Sequence, residues 1–329
     1  AESSGATAPR RCAGFKAGAA RPIRDQAPCI GARLPPLVAP TRNPMPPALA
    51  SSTSSARNAD GDFQFSNADF ERVRKLIYKR AGISLNAGKQ AMVYSRLSRR
   101  LRELGHASFA SYLQWLENAS GAQGEKEWQE FVNSLTTNLT SFFREQHHFP
   151  VLADELRQRR NQNLRLWCNA ASTGEEPYSL AMTVIEALGP KASVDIVCSD
   201  IDTKVLTTAG RGVYDADSRG LLPEQLKQYF LRGTGANAGL MRVKPELRRL
   251  VEFRAFNLMD KVWSLGEPFH IVFCRNVMIY FDAPTQRRVL EQMHGVMQPH
   301  GLLFAGHSEN FSDSKDLFRL RGKTVYERV

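Results

Sequence analysis

The chain is short of cysteine, of acids and of long apolar runs, and each shortage excludes something. Its five cysteines, at positions 12, 29, 168, 198 and 274, are odd in number and show no paired spacing. That excludes a disulfide framework. No apolar run approaches the ~18 residues needed to span a bilayer, so no direct membrane insertion is expected. Asp plus Glu number 33 against 44 Lys plus Arg, a formal net charge of +11. This balance favours an acidic partner but does not choose between nucleic acid, membrane and acidic protein. Residues 1–60 contain a single aromatic, Phe15, and nine of the 17 prolines; eight Lys/Arg against three acids give them a net +5. Such a stretch cannot bury enough apolar surface to offset its ordering entropy, and a disordered basic tail is expected.

What remains has the makings of two folded domains. Ser66 followed by Asp69 reads as a capping-box helix start, and Phe70, Val73 and Ile77 recur at helical spacing. A second helix is expected from about Lys89 to Leu104, closed by Gly105, with Val93, Leu97, Leu101 and Leu104 as its apolar stripe. Helical patterns continue through Phe109–Leu116 and Trp128–Leu135, so residues 61–140 read as a small all-helical domain. Apolar strands then alternate with helices: strands at 164–170, 194–201, 269–276 and 301–307, helices at 176–188, 204–209 and 284–297. That rhythm predicts an α/β domain over 141–329 whose mostly parallel sheet is covered on both faces. It breaks between 212 and 253, where short strands at 240–244 and 250–256 follow glycines 233, 235 and 239 and suggest a small β-rich insertion.

The chemistry concentrates where the first strand meets its helix. Leu164–Ala170 runs into Ala171-Ser172-Thr173-Gly174-Glu175-Glu176-Pro177. Small residues there let the backbone approach a ligand at a helix N-terminus, and Asp200, ending the next strand, stands where an acid commonly takes a ribose diol. An ordinary tight turn with a surface Asp would read the same way. Glu175 and Glu176 disfavour a pyrophosphate, because like charges repel, and suit a cationic ligand with a ribose such as S-adenosylmethionine. Cys168, Cys198 and Cys274 each sit in an apolar strand and read as buried small hydrophobes. Adjacent His147 and His148 would point about 100° apart on a helix, which suits packing better than a metal site. No metal is expected, and no Ser-His-Asp or Cys-His constellation is evident.

Five stretches resemble the CheR family of chemotaxis-receptor methyltransferases: Thr137-Asn138-Leu139-Thr140-Ser141-Phe142-Phe143-Arg144-Glu145, Ser172-Thr173-Gly174-Glu175-Glu176-Pro177-Tyr178-Ser179, Ser199-Asp200-Ile201-Asp202, Phe273 through Phe281, and Phe304-Ala305-Gly306-His307-Ser308-Glu309. The resemblance covers roughly residues 62–329. It implies a class I, Rossmann-like S-adenosylmethionine-dependent methyltransferase domain with a small β-subdomain, preceded by a helical domain. It implies a cytoplasmic, monomeric protein-glutamate O-methyltransferase acting on methyl-accepting chemoreceptors and releasing S-adenosylhomocysteine. By the same resemblance, Asn138, Thr140 and Arg144 contact the cofactor, Glu175 its amino-acid end and Asp200 its ribose, while Asn257, Leu258, Arg275 and Asn276 line the adenine and methionine side. Arg144 and Tyr280 are the candidates beside the reacting carboxylate, although Tyr280 reads equally well as core.

Two basic patches complete the expectation. Arg96, Arg99 and Arg100 share a helix face, which in this family looks toward an acidic receptor. Arg232, Arg242 and Lys244, with the glycines around them, are expected to dock a receptor's C-terminal pentapeptide. A nucleic-acid methyltransferase is the alternative suggested by a pI near 9.6; no nucleic-acid motif supports it. A CheR-like module that binds cofactor without catalysis is the other.

Overall fold

The computed structural model describes residues 62–329; the tail expected over 1–60 lies outside the described residues. Four helices come first: α1 (Asn67–Ala81), α2 (Gln90–Leu104), α3 (Phe109–Asn118) and α4 (Gly121–Leu135). The capping box forms as the residues suggest. Ser66 Oγ accepts the Asp69 N–H at 3.1 Å, and the Asp69 carboxylate accepts the Ser66 N–H at 3.0 Å. The α1 and α2 stripes meet Phe109, Leu113, Phe131 and Leu135 in one apolar core. Leu104, expected in the α2 stripe, is instead 38 % exposed in the last turn of its helix.

The second layer set begins with α5 (His148–Gln158), β1 (Leu164–Cys168), α6 (Glu175–Leu188), β2 (Val194–Asp200) and α7 (Thr203–Arg211). A subdomain follows: β3 (Val213–Asp215), α8 (Pro223–Tyr229), β4 (Phe230–Arg232), β5 (Leu240–Val243) and α9 (Pro245–Arg248). Then come β6 (Val251–Ala255), β7 (Phe269–Cys274), α10 (Ala283–Gly295), β8 (Met297–Ala305), β9 (Phe318–Gly322) and β10 (Val325–Arg328). The main sheet has the order β6-β2-β1-β7-β8-β10-β9. Its first five strands pair in parallel, and β10 runs antiparallel to β8 and β9. Successive β1 residues serve opposite faces, Leu166 and Cys168 one core, Trp167 the other. Strand order reverses on either side of β1, which makes the carboxyl ends of β1, β2, β6 and β7 the place for a ligand crevice.

One boundary needs correction. The strand expected over 250–256 does not belong to the insertion: β6 pairs with β2, Val251 opposite Ile196 through Ala255 opposite Asp200. The insertion's own sheet is β3-β5-β4, antiparallel. Short strands of similar composition look alike in sequence; only the partner distinguishes them. Helices α5, α8 and α9 are additional to the expected set.

Candidate active site

A cleft of about 360 Å³ lies over the reversal point. Its floor is the strand ends, Asn169, Asp200, Phe256 and Arg275; its walls are the connector 136–144, the segment 276–281 and the residues between α1 and α2. Both domains therefore line it. Asn257 ties them together, its Nδ2 donating to the Arg80 carbonyl at 2.8 Å. On the other side, the Ser84 N–H donates to the Tyr280 carbonyl at 2.8 Å. Gly82, closing α1 at φ +70°, takes a left-handed conformation that favours glycine, and a Cβ there would have to displace the Met259 side chain, 2.4 Å away at Sδ.

Asp200 is 8 % exposed and lines the cleft at the end of β2. Its two oxygens accept the Ser172 N–H at 2.8 Å and the Asp202 N–H at 2.9 Å. Burial pushes its carboxyl up to about 6 despite these donors. A carboxylate has about four acceptor sites, so capacity for a diol remains. Ser172 sits at φ +47°, a backbone region that a non-glycine residue enters at a cost. Phe143, Glu145 and Asn276 do the same, at φ +50°, +56° and +58°. Strain is thus gathered around this cleft, and buried carboxylates hold it. Glu309, 5 % exposed, accepts the N–H groups of Asn276, Val277 and Met278 at 2.9, 2.9 and 2.7 Å, and that of Gly306 as well.

The connector is pinned to the same turn. Asn138 Nδ2 donates to Asp202 Oδ2 at 2.8 Å, and Ser172 Oγ donates to the Asn138 carbonyl at 2.9 Å. Arg144 faces the cleft with Nη1 on the Leu139 carbonyl at 2.9 Å. Thr140, Leu258, Asn276 and Tyr280 line it too. Of the residues expected there, Glu175 alone is absent from the walls. Its Oε2 accepts the Thr173 hydroxyl at 2.6 Å, and its neighbour Glu176 occupies the wall instead. At a helix N-terminus successive side chains diverge by about 100°, so one of two adjacent acids must turn away. Arg275 also does more than line the cleft: buried, it clamps Glu176 at 2.5 Å and Glu145 at 3.3 Å.

The residues that the sequence left without any site role are Asn169 on the floor, Lys89 in the wall, and Glu145 and Glu309 behind them. Glu145, Glu176 and Glu309 all stand within the motifs, and of these only Glu176 was given a chemical reading, as one of the two acids suited to a cationic ligand. Cys168, Cys198 and Cys274 are buried, and burial holds their thiols well above the ordinary range, which leaves no thiolate nucleophile among the described residues. His148 packs at 5.4 Å on the Phe304 ring and bonds Thr324 Oγ1 through Nε2 at 3.0 Å; burial first, then Arg275, brings it down to about 4.

The basic patches look different from their expectation. Arg96 donates to the Thr136 carbonyl at 2.5 Å, capping the end of α4. Arg100 makes a two-pronged pair with Glu127, whose side chain is only 4 % exposed. Arg99 is left as the outward cation, 76 % exposed and 3.9 Å from Glu103. In the subdomain, Lys244 Nζ donates to the carbonyls of Lys227 and Gln228 at 2.9 and 2.7 Å, closing α8. Arg242 stands opposite Leu231 and Arg232 opposite Met241, so strand alternation sends them to different faces. Gly233 serves its own hairpin, since a Cβ there would fall 2.0 Å from the Asn237 carbonyl oxygen.

Comparison with known proteins agrees with this geometry. Residues 138–327 match the family described as "CheR methyltransferase, SAM binding domain", and residues 68–136 match "CheR methyltransferase, all-alpha domain". The chain is 52 % identical over 282 residues to Chemotaxis protein methyltransferase 2 of Pseudomonas aeruginosa, covering 84 % of this chain and 99 % of that protein. It is 54 % identical over 263 residues to the chemotaxis protein methyltransferase of Klebsiella aerogenes, covering 79 % and 89 %. For that of Escherichia coli K12 the figures are 53 % over 263 residues, 79 % and 91 %.

Proposed function

The chain belongs to the CheR methyltransferase family, and from that membership we propose that it esterifies glutamate side chains of methyl-accepting chemoreceptors, with S-adenosylmethionine as methyl donor. The observation that carries the reading is the cleft itself: a strand-end acid, a small-residue turn and a two-domain wall meet at the reversal point of the sheet. The residues suit this cofactor. Asp200 retains acceptor capacity for the ribose, and the amide of Asn169 lies buried in the wall without a hydrogen-bond partner. We assign Asn138, Thr140, Arg144, Asp200, Asn257, Leu258, Arg275 and Asn276 to its surroundings, Arg275 through its hold on Glu176. Glu176 takes the place first given to Glu175. Residues 61–140 serve as the receptor-facing domain and 141–329 as the methyltransferase domain.

A bound donor supplies an electrophilic methyl group on a sulfonium. A glutamate side chain, with a reference pKa of about 4.3, already carries the attacking charge at neutral pH, so no general base is needed. The task left to the protein is to align the carboxylate and to replace its water with oriented polar groups. We assign that task to Arg144 and Tyr280, both of which line the cleft. Arg144 is already engaged by the Leu139 carbonyl, which tempers its hold on the incoming carboxylate; binding it too tightly would stabilise the reactant more than the transition state.

We further propose a cytoplasmic monomer that can be tethered by a receptor's C-terminal pentapeptide at the outer face of β4 and β5, where Leu231 and Arg242 are exposed. Lys244 is left out of that contact. The test of the main reading is transfer of tritium from methyl-labelled S-adenosylmethionine to receptor membranes. A base-labile label on receptor is expected; label appearing only on nucleic acid, or on nothing, would overturn it.

A further inference from the structure

Asn169 follows β1 directly, and its N–H donates to the Phe273 carbonyl at 3.1 Å, so its backbone is fixed in the sheet. The residue is 4 % exposed and lines the cleft. Neither Nδ2 nor Oδ1 has a hydrogen-bond partner. The Cys274 thiol comes within reach of the amide, but a thiol is a weak partner and does not satisfy it. The other polar side chains of this wall are engaged: Glu176 by Arg275, Asp200 by two backbone N–H groups, Asn276 by Glu145. A buried amide with its whole polar end unmet is a standing cost, and native proteins rarely keep one without a ligand to meet it. Asn169 also stands between Asp200 and Arg275 in the order of the strand ends, on the floor rather than the rim.

We infer that Asn169 is a binding residue for the amino-acid end of the cofactor, with Oδ1 accepting from its ammonium and Nδ2 donating to its carboxylate. One amide offers one acceptor and a donor pair, the complement of a zwitterion. The inference rests on the reading of the cleft as an S-adenosylmethionine site.

Calorimetry with two ligands tests it: S-adenosylhomocysteine, and 5′-methylthioadenosine, which keeps the nucleoside and thioether but lacks the amino-acid end. In the full chain, Asn169→Ala is expected to weaken S-adenosylhomocysteine by on the order of tenfold. The same variant should bind 5′-methylthioadenosine as the wild type does. Its melting temperature without ligand should be equal to or above the wild type's, because an unmet polar group has been removed. Unchanged S-adenosylhomocysteine affinity would mean that Asn169 is merely a core residue. Equal weakening of both ligands, or a variant that fails to fold, would make it a support of the turn. Either result overturns the assignment. A wild-type chain that binds neither ligand would instead bring down the reading of the cleft, and this inference with it.

Discussion

The cleft and the basic patches are made of the same material, charged side chains on short stretches of chain, yet the fold uses them in opposite ways. In the cleft, Asp200 and Arg275 stand at strand ends, and the sheet fixes where each one points. On the surface, Arg96, Arg100 and Lys244 sit on long flexible stems and have found acceptors within their own domain. A strand-end residue is placed by the backbone; a surface cation goes to whichever acceptor the tertiary fold brings near. Charge in the first setting therefore reads as function more safely than charge in the second.

The sharpest way to test that contrast is to remove from each region a cation paired with a buried acid. Arg275→Met strands Glu176 and Glu145 in the interior. Breaking a buried pair in this way costs about 3–5 kcal/mol, and a large fall in thermal midpoint is expected at neutral pH. Arg100→Ala should cost somewhat less, about 3 kcal/mol, since its side chain is 19 % exposed while Glu127 is buried. If urea titrations followed by circular dichroism show Arg100→Ala within 0.5 kcal/mol of the wild type, roughly the scatter of an ordinary surface change, the patch is free after all.

Asp200 tests the cleft side through pH. Its carboxyl titrates at about 6 when buried, against an ordinary 3.8. A raised folded value means that the native state takes the proton first. Its contribution to stability is fully present below 3.8 and is lost as pH rises through about 6. Cofactor affinity should run the other way, because the ionised form makes the stronger acceptor. Binding of S-adenosylhomocysteine is expected to weaken as pH falls through about 6, and Asp200→Ala to weaken it by about 1.5–3 kcal/mol at pH 7.5. A binding curve flat between pH 5 and 8 would remove Asp200 from the ligand's contacts.

How much was legible follows the same division. The capping box at Ser66, the strand–turn–helix at 164–188 and the acid at 200 carry their structure in local pattern, and the fold keeps all three. The partner of β6 was not legible, because pairing with β2 across 50 residues is a tertiary choice. Nor was it legible that Glu176 and not Glu175 would stand in the cleft wall, which turns on a single helical step. Asn169 was hidden for a different reason. Between apolar strand and small-residue turn it looks like filler, and only the absence of partners around a buried amide marks it.

The smallest effect belongs to Arg99, and it is the cleanest test of the surface patch. Reversing Arg96, Arg99 and Arg100 together would break the cap on α4 and the pair with Glu127, so slow methylation by that variant could come from a damaged domain. Arg99→Glu leaves both contacts alone and alters one exposed charge, loosely paired with Glu103 at 3.9 Å. Exposed charges act over about 8–10 Å in ordinary salt, and a single one is worth a few tenths of a kcal/mol to 1 kcal/mol. The expected result is a fall of about two- to fourfold in kcat/KM for receptor, carried by KM, with the cofactor's affinity and the melting temperature unchanged. The deficit should shrink as salt is raised, because screening weakens the wild type's attraction and the variant's repulsion alike. Equal rates for the two proteins at low salt would show that the face of α2 is only solvated, and the receptor's acidic surface would then have to be met elsewhere, with Lys89 at the cleft mouth as the next cation to reverse.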